Sequence, residues 1–285
     1  MQEKKIIGVD IGGSHISAGY VDFSMEVPDP EIKRSKVNST GTREEILGSW
    51  TACLEQLVQG ADTRLGMAMP APFDYENGIS FIKEQGKFRA LYQVNIKKEL
   101  AYRLDLPIDN ICFFNDAAAF LQGEAFVGGG NGNDRLMGLT LGTGLGSAFK
   151  TGPLAEDGGL WSSRFKDGIA EDYLGTGWFI DWAKKEAGLP VSGLKELLDN
   201  PVTQSRTKEA LKSFGRNLGE FAAPYIKSKS IDRLIIGGNI GNAASLFLKE
   251  TVSVLEENGL FPQITVSRLG EKAPLIGAAS LWKRR

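Results

Sequence analysis

Cysteine, net charge and long hydrophobic runs are all scarce in this chain, and each scarcity excludes something. Two cysteines in 285 residues, Cys53 and Cys112, cannot build a disulfide scaffold. Both lie in apolar contexts, so buried thiols in a reducing compartment are expected. The 33 basic and 35 acidic side chains leave a formal charge of -2, too little to draw nucleic acid, so no nucleic-acid partner is expected. No run of about twenty apolar residues is present, and the first strand pattern starts within a few residues of Met1 without an apolar signal core. A cytoplasmic protein with no membrane partner is the expectation. Heptads, low-complexity tracts and long linkers are missing too. What remains, 42% apolar and 24% charged residues, is the composition of a globular chain long enough for two packed domains.

Strand and helix patterns alternate along the chain, the mark of an α/β fold with mainly parallel strands and hairpin edges. The periodicity predicts strands at 5–11, 15–23, 32–38, 64–70, 78–83, 110–115, 136–142, 145–150 and 232–237. It predicts helices at 42–59, 94–104, 117–127, 168–187, 204–228 and 274–284. Thr42 with Glu45 three residues later is a capping-box pattern. The run Gly128-Gly129-Gly130-Asn131-Gly132-Asn133 reads as a tight turn, and a domain boundary is expected near residue 118. The expected division is 1–117 plus 274–285 against 118–273, with the last helix packing back on the first domain.

Chemistry enters through glycine. Ile6-Ile7-Gly8-Val9-Asp10-Ile11-Gly12-Gly13-Ser14 is an apolar run opening into a glycine turn, and Leu139-Thr140-Leu141-Gly142-Thr143-Gly144-Leu145-Gly146-Ser147 repeats it in altered form. Without Cβ atoms, such turns let backbone N–H groups approach anionic oxygens, while Asp10 or Thr143 offers a carboxylate or hydroxyl to phosphate or metal. Each turn alone reads equally as an ordinary β-hairpin. Leu234-Ile235-Ile236-Gly237-Gly238 is a strand ending in two glycines before a helix, an open shelf for a flat base. Asn115-Asp116 closes the strand Ile111–Phe114 and opens a helix. Asp116 there could cap the helix or, at the carboxyl end of a buried strand, serve as a general base.

Taken in order, Asp10-Ile11-Gly12-Gly13, Asn115-Asp116, Leu141-Gly142-Thr143-Gly144-Leu145-Gly146 and Ile236-Gly237-Gly238 resemble the ROK family of sugar kinases. Met69-Pro70-Ala71-Pro72 and Leu275-Ile276-Gly277-Ala278-Ala279 are similar to the family's proline loop and C-terminal helix start. The resemblance implies a two-domain actin-like ATPase (ribonuclease H-like) α/β fold with a nucleotide cleft between the domains. It implies ATP-dependent phosphorylation of a hexose or hexose derivative in a homodimer. Asp10, Gly12 and Gly13 would lie by the β- and γ-phosphates, Asp10 holding Mg²⁺ through water. Gly142, Thr143 and Gly144 would form the opposing phosphate loop, and Gly237 with Gly238 the adenosine shelf. Asp116 would take the proton of the attacking sugar hydroxyl, and Asn115 would hold a neighbouring hydroxyl.

The chain also departs from the family pattern. Members carry a Glu-x-Gly-His sugar loop, then a histidine and three cysteines that bind zinc. Here the loop reads Glu156-Asp157-Gly158-Gly159, keeping the glutamate and losing the histidine. Leu160–Gly168 replaces the zinc segment, and the single histidine of the chain is His15, so no zinc site is expected. Glu171 falls where the family has its second sugar-binding glutamate, though with Asp172 it also reads as a first-turn acid favoured by the helix dipole. Trp178 and Trp182 share a helical face that suits core or dimer packing. The losses admit a second reading, a non-catalytic sugar or nucleotide sensor. Related repressors place a helix-turn-helix before this fold; here the strand pattern begins almost at Met1, which disfavours a DNA-binding regulator.

Overall fold

The structure, a computed structural model, describes residues 5–25, 27–84, 86–127, 134–199 and 204–284. The glycine run 128–133, read as a tight turn, lies outside the described residues. By backbone proximity the chain divides into two compact units, Met1–Gly129 with Glu271–Arg285, and Gly130–Gly270. This division falls at 129/130 and 270/271, not at 117/118 and 273/274. Among the described residues no helix is long and apolar enough to cross a membrane.

The first unit opens with β1 (Ile6–Ile11), antiparallel to β2 (His15–Tyr20), which pairs in turn with β3 (Lys33–Lys36). The helix α1 (Arg43–Leu54) starts at the capping box expected from sequence: the Glu45 N–H donates to the Thr42 hydroxyl at 3.3 Å and the Thr42 N–H to the Glu45 carboxylate at 2.7 Å. Next come β4 (Arg64–Met69), the short hairpin β5 (Phe73–Asp74) and β6 (Ile79–Ser80), α2 (Ile96–Arg103), β7 (Ile111–Asn115) and α3 (Asp116–Phe126). Parallel pairing of β1 with β4 and of β4 with β7 completes a sheet of order β3-β2-β1-β4-β7. The central strands are buried on both faces and therefore read as apolar runs, whereas edge strand β3 is Lys-Arg-Ser-Lys. Trp50 and Phe88, both fully buried, meet edge to face at 5.5 Å in the core.

The second unit repeats the plan. Its strands are β8 (Leu136–Leu141), β9 (Leu145–Lys150), β10 (Glu156–Asp157) and the two-stranded hairpin β11 (Arg164–Phe165) and β12 (Gly168–Ile169). The helices α4 (Ala170–Leu174), α5 (Thr176–Trp182), α6 (Leu194–Asp199) and α7 (Gln204–Lys229) follow. Then come β13 (Arg233–Gly237), α8 (Gly238–Gly241), α9 (Leu248–Glu257) and β14 (Gln263–Val266). The sheet order β10-β9-β8-β13-β14 carries the same sequence of antiparallel and parallel pairings as the first sheet. Phe214 joins the core between Phe179, at 4.8 Å, and Phe247, at 5.2 Å. Trp178 packs on Phe214 at 5.7 Å, the core role its spacing suggested.

The last helix, α10 (Lys272–Ala279), belongs to the first unit and runs on as a 3₁₀ turn over Ser280–Arg284. It lies backbone to backbone on α3 and β1. A Cβ on Gly277 would stand 1.8 Å from the Ala119 carbonyl oxygen, and one on Gly123 2.0 Å from that of Ala273. This seam of α3 and α10 places α3 in the first unit.

Candidate functional site

In the first unit the site gathers at the carboxyl ends of β1 and β7. β1 ends in Asp10-Ile11, and the Gly12 N–H donates to the His15 carbonyl at 2.9 Å, closing the turn into β2. Asp10 is partly buried. Burial first, then the negative charges of Asp116 and Glu271, push its carboxyl from 3.8 up to about 7, with Lys87 and Arg34 opposing them. Arg34 is committed elsewhere, as its guanidinium pairs with Glu271 and donates to the Ser17 hydroxyl at 3.3 Å. Asp10 and Asp116 thus lie close enough for their charges to interact.

At the end of β7 the capping role weighed for Asp116 falls to Asn115. The buried Asn115 side-chain oxygen accepts from the Ala118 N–H at 3.0 Å, and its amide donates to the Tyr75 hydroxyl at 3.1 Å. Tyr75 donates on to the Met69 carbonyl at 3.2 Å. Asp116, one residue on, keeps its carboxylate at the first position of α3, where the Ala117 N–H donates to one oxygen at 2.8 Å. Partly buried at a strand end, that carboxylate can accept a proton from a bound hydroxyl.

In the second unit, the turn between β8 and β9 holds Gly142, the exposed Thr143 and Gly144. Two residues fasten it. Thr176, which opens α5, donates to the Gly142 carbonyl from its N–H at 2.9 Å and its hydroxyl at 2.8 Å. One Glu171 carboxylate oxygen accepts from the Leu145 N–H at 2.9 Å, and a Cβ on Gly144 would stand 2.2 Å from it. The single helix expected over 168–187 is instead interrupted. Gly168–Ile169 is strand, Gly175 separates α4 from α5, and a wider π turn follows at Ala183–Ala187. The interruption is what turns the Thr176 N–H toward the glycine turn. Sequence periodicity missed Thr176; the Gly175-Thr176-Gly177 triplet was the available signal.

Gly237 ends β13 and Gly238 starts α8 at φ +82°, the left-handed region that favours glycine. A Cβ there would lie 2.3 Å from the Leu141 carbonyl oxygen, so strand end and glycine turn touch through backbone. Beside them lies a cavity of about 650 Å³, bordered by Thr176, Leu194, Leu198, Asn239, Asn242 and Ser245 among others. Apolar walls with a few polar groups, at this volume, suit a flat heterocycle bearing polar edges. Leu194 and Leu198 come from α6, which no motif announced.

Glu156 is exposed on edge strand β10, opposite Phe149. Asp157 accepts from the Gly159 N–H at 2.9 Å, and Gly159, where the family has its histidine, adopts φ +59°. The segment after it is fastened by aromatic packing. Phe165 stacks edge to face on Tyr173 at 5.4 Å and on Phe221 at 5.6 Å, while Lys166 donates to Asn217 at 2.5 Å and pairs with Glu220 at 3.0 Å. Among the described residues no group of three His, Cys, Asp or Glu side chains could hold a metal.

Known proteins fit this picture. The glucokinase of Thermotoga maritima is 31% identical over 100% of this chain and 99% of its own length. An N-acetylgalactosamine kinase of a Shewanella strain is 26% identical over 96% and 95%. The crystal structure of a ROK family glucokinase from Streptomyces griseus, complexed with glucose and AMPPNP, superposes with a TM-score of 0.77 over 99% of this chain and 100% of that one, at 22% identity. The fold is therefore that of the ROK kinases, an actin-like ATPase fold. The model described as ROK family matches residues 6–158 and 175–285. With its two glycine turns, its strand-end Asn-Asp and its Gly-Gly shelf in the expected order, this chain belongs to the ROK family.

Proposed function

We propose that the chain transfers the γ-phosphoryl group of ATP to a hydroxyl of a hexose or hexose derivative. The observation that carries this reading is the pairing of two partly buried acids, Asp10 and Asp116, at the ends of β1 and β7, which flank β4, beside a glycine turn. Asp116 accepts the proton of the sugar hydroxyl as its oxygen forms a bond to phosphorus and the bond to the ADP oxygen breaks. Phosphoryl transfer asks a protein mainly for positioning and charge stabilisation, and both are built from these parts. Asn115 fixes the start of α3 and presents its remaining amide hydrogen to a neighbouring hydroxyl.

Asp10 suits a hard divalent cation, because burial and two neighbouring acids leave its negative charge under-compensated. Mg²⁺ bound there, through water, would neutralise phosphate charge as the transfer proceeds. In the second unit the backbone of Gly142–Gly144 and the Thr143 hydroxyl hold phosphate, and the cavity beside Gly237-Gly238 takes the adenosine. Glu171 steadies the turn from one carboxylate oxygen, leaving the other for the sugar, and Glu156 supplies a further sugar contact. A homodimer working in the cytoplasm is the assembly we propose.

The test is a coupled assay for ADP release with ATP and Mg²⁺ against a panel of hexoses, amino sugars and N-acetylated sugars, with Asp116→Ala as control. Turnover with at least one sugar, abolished in the variant, is expected. ATP binding without turnover on any sugar would favour a sensor.

A further inference from the structure

A cation stands at the first glycine turn that none of the assignments above uses. The aliphatic stem of Lys87 passes over Gly13, its Cδ 3.4 Å from where a Cβ on Gly13 would be, and its positive charge opposes the acids that raise the Asp10 carboxyl. The other cation near Asp10, Arg34, is already bound to Glu271 and Ser17. Lys87 forms no ion pair within 4 Å among the described residues.

Its placement is fixed by the next residue. Phe88 is fully buried, packs edge to face on Trp50 and donates its N–H to the Ser39 carbonyl at 2.6 Å. It does so at φ +56°, a left-handed conformation that a bulky residue holds only when its surroundings over-determine it. The chain is thereby pinned one residue beyond Lys87. Lys87 itself is only partly buried and borders a groove of about 680 Å³ with Thr40, Gly41, Lys83, Glu84 and Arg89, whose lining of three cations and one acid leaves room for an anion.

We propose that Lys87 is a further catalytic residue, whose ammonium contacts the oxygens of the phosphoryl group in transit at the Gly12-Gly13 turn and offsets the charge spread over them. This rests on the kinase reading above. A mobile point charge on a pinned backbone is suited to that task, since a lysine ammonium can follow the phosphorus between donor and acceptor.

The experiment compares wild type with Lys87→Met, which keeps the stem and removes the charge, and with Lys87→Arg. Each is assayed for turnover on the sugar that wild type accepts and for affinity toward MgADP with aluminium fluoride and that sugar, a mimic of the group in transit. Thermal melts establish that the variants fold. The expected result is a kcat about a hundredfold lower in Lys87→Met, the scale of one lost donor to transition-state charge. The affinity for the aluminium fluoride complex should fall by a similar factor, with KM for sugar and affinity for MgADP alone within about threefold, and Lys87→Arg should recover most of the loss. A folded Lys87→Met that keeps wild-type kcat would overturn the role of Lys87 while leaving the kinase reading intact. So would a loss confined to KM for sugar. A wild type that phosphorylates no sugar would overturn both.

Discussion

The two units are built to one plan and hold different chemistry. Each has a five-stranded sheet in which an antiparallel hairpin continues into two parallel strands, and each puts a glycine turn after its leading strand, β1 or β8. In the first unit the strand ends carry charge: Asp10 at β1 and Asp116 just beyond β7. In the second the turn after β8 holds the neutral Thr143, and β13 ends in Gly237 with Gly238 next, where β4 of the first unit ends in Met69 followed by Pro70. Under the proposed function, one plan yields a unit that moves a proton and holds a cation, and a unit that cradles a nucleotide. The comparison teaches that the same turn can be repeated with different side chains around it. What differs between the two is the side chain at the strand end, and on our proposal that side chain sets the chemistry.

The comparison breaks most sharply at Asp116. Asp116→Asn should lower kcat by roughly a hundred- to ten-thousand-fold, the range of a lost general base, with nucleotide affinity kept. Steady-state kinetics alongside calorimetric titration of ATP checks this, and undiminished turnover would remove Asp116 from the mechanism.

A smaller effect, on the other side, is expected at Gly238. Gly238→Ala forces a side chain into φ +82° and against the Leu141 carbonyl, so nucleotide affinity should fall at least about tenfold while kcat at saturating ATP changes little. A variant with unaltered affinity would mean that the shelf does not carry the nucleotide.

Glu171→Ala sharpens the contrast within the second unit, because it frees the Leu145 N–H and loosens the glycine turn. One hydrogen bond to a charged acceptor near the surface corresponds to about 1.5 kcal/mol, or roughly tenfold in affinity for ATP. Loss of sugar affinity alone would assign Glu171 to the sugar and not to the turn.

The last prediction concerns stability against pH. The Asp10 carboxyl titrates near 7 in the folded chain and near 3.8 when unfolded, so between these values the folded state binds more protons and stability falls as pH rises. Below about pH 4 both states are protonated and the penalty vanishes. Asp10→Asn removes it, so the melting temperature of the variant relative to wild type should be higher at pH 8 than at pH 5. Mg²⁺ should raise the wild-type melting temperature more at pH 8 than at pH 5. A pH-independent difference would show that Asp10 is not short of positive charge.

Much of this was legible in sequence where a motif is local. The glycine turns, the strand ending in Gly237-Gly238 and the Thr42 capping box depend on residues a few positions apart, and the chain folds them as written. Asn115 and Asp116 are adjacent residues able to cap, and only backbone geometry assigns the cap to Asn115. The break at Gly175 was hidden because its cause lies far off in the chain, in the bonds of Thr176 to Gly142. The walls from α6 and the position of Lys87 beside Gly13 are tertiary facts that no periodicity encodes. The boundary expected near 118 differs from the division at 129/130 because α3 is held by α10, from the far end of the chain.

The most direct test is a crossed measurement of kcat on sugar and equilibrium affinity for ATP in wild type, Asp116→Asn and Gly238→Ala. The division of labour predicts that Asp116→Asn loses at least about a hundredfold in kcat with affinity within threefold, and that Gly238→Ala does the reverse. Equal losses of both quantities in both variants would contradict it.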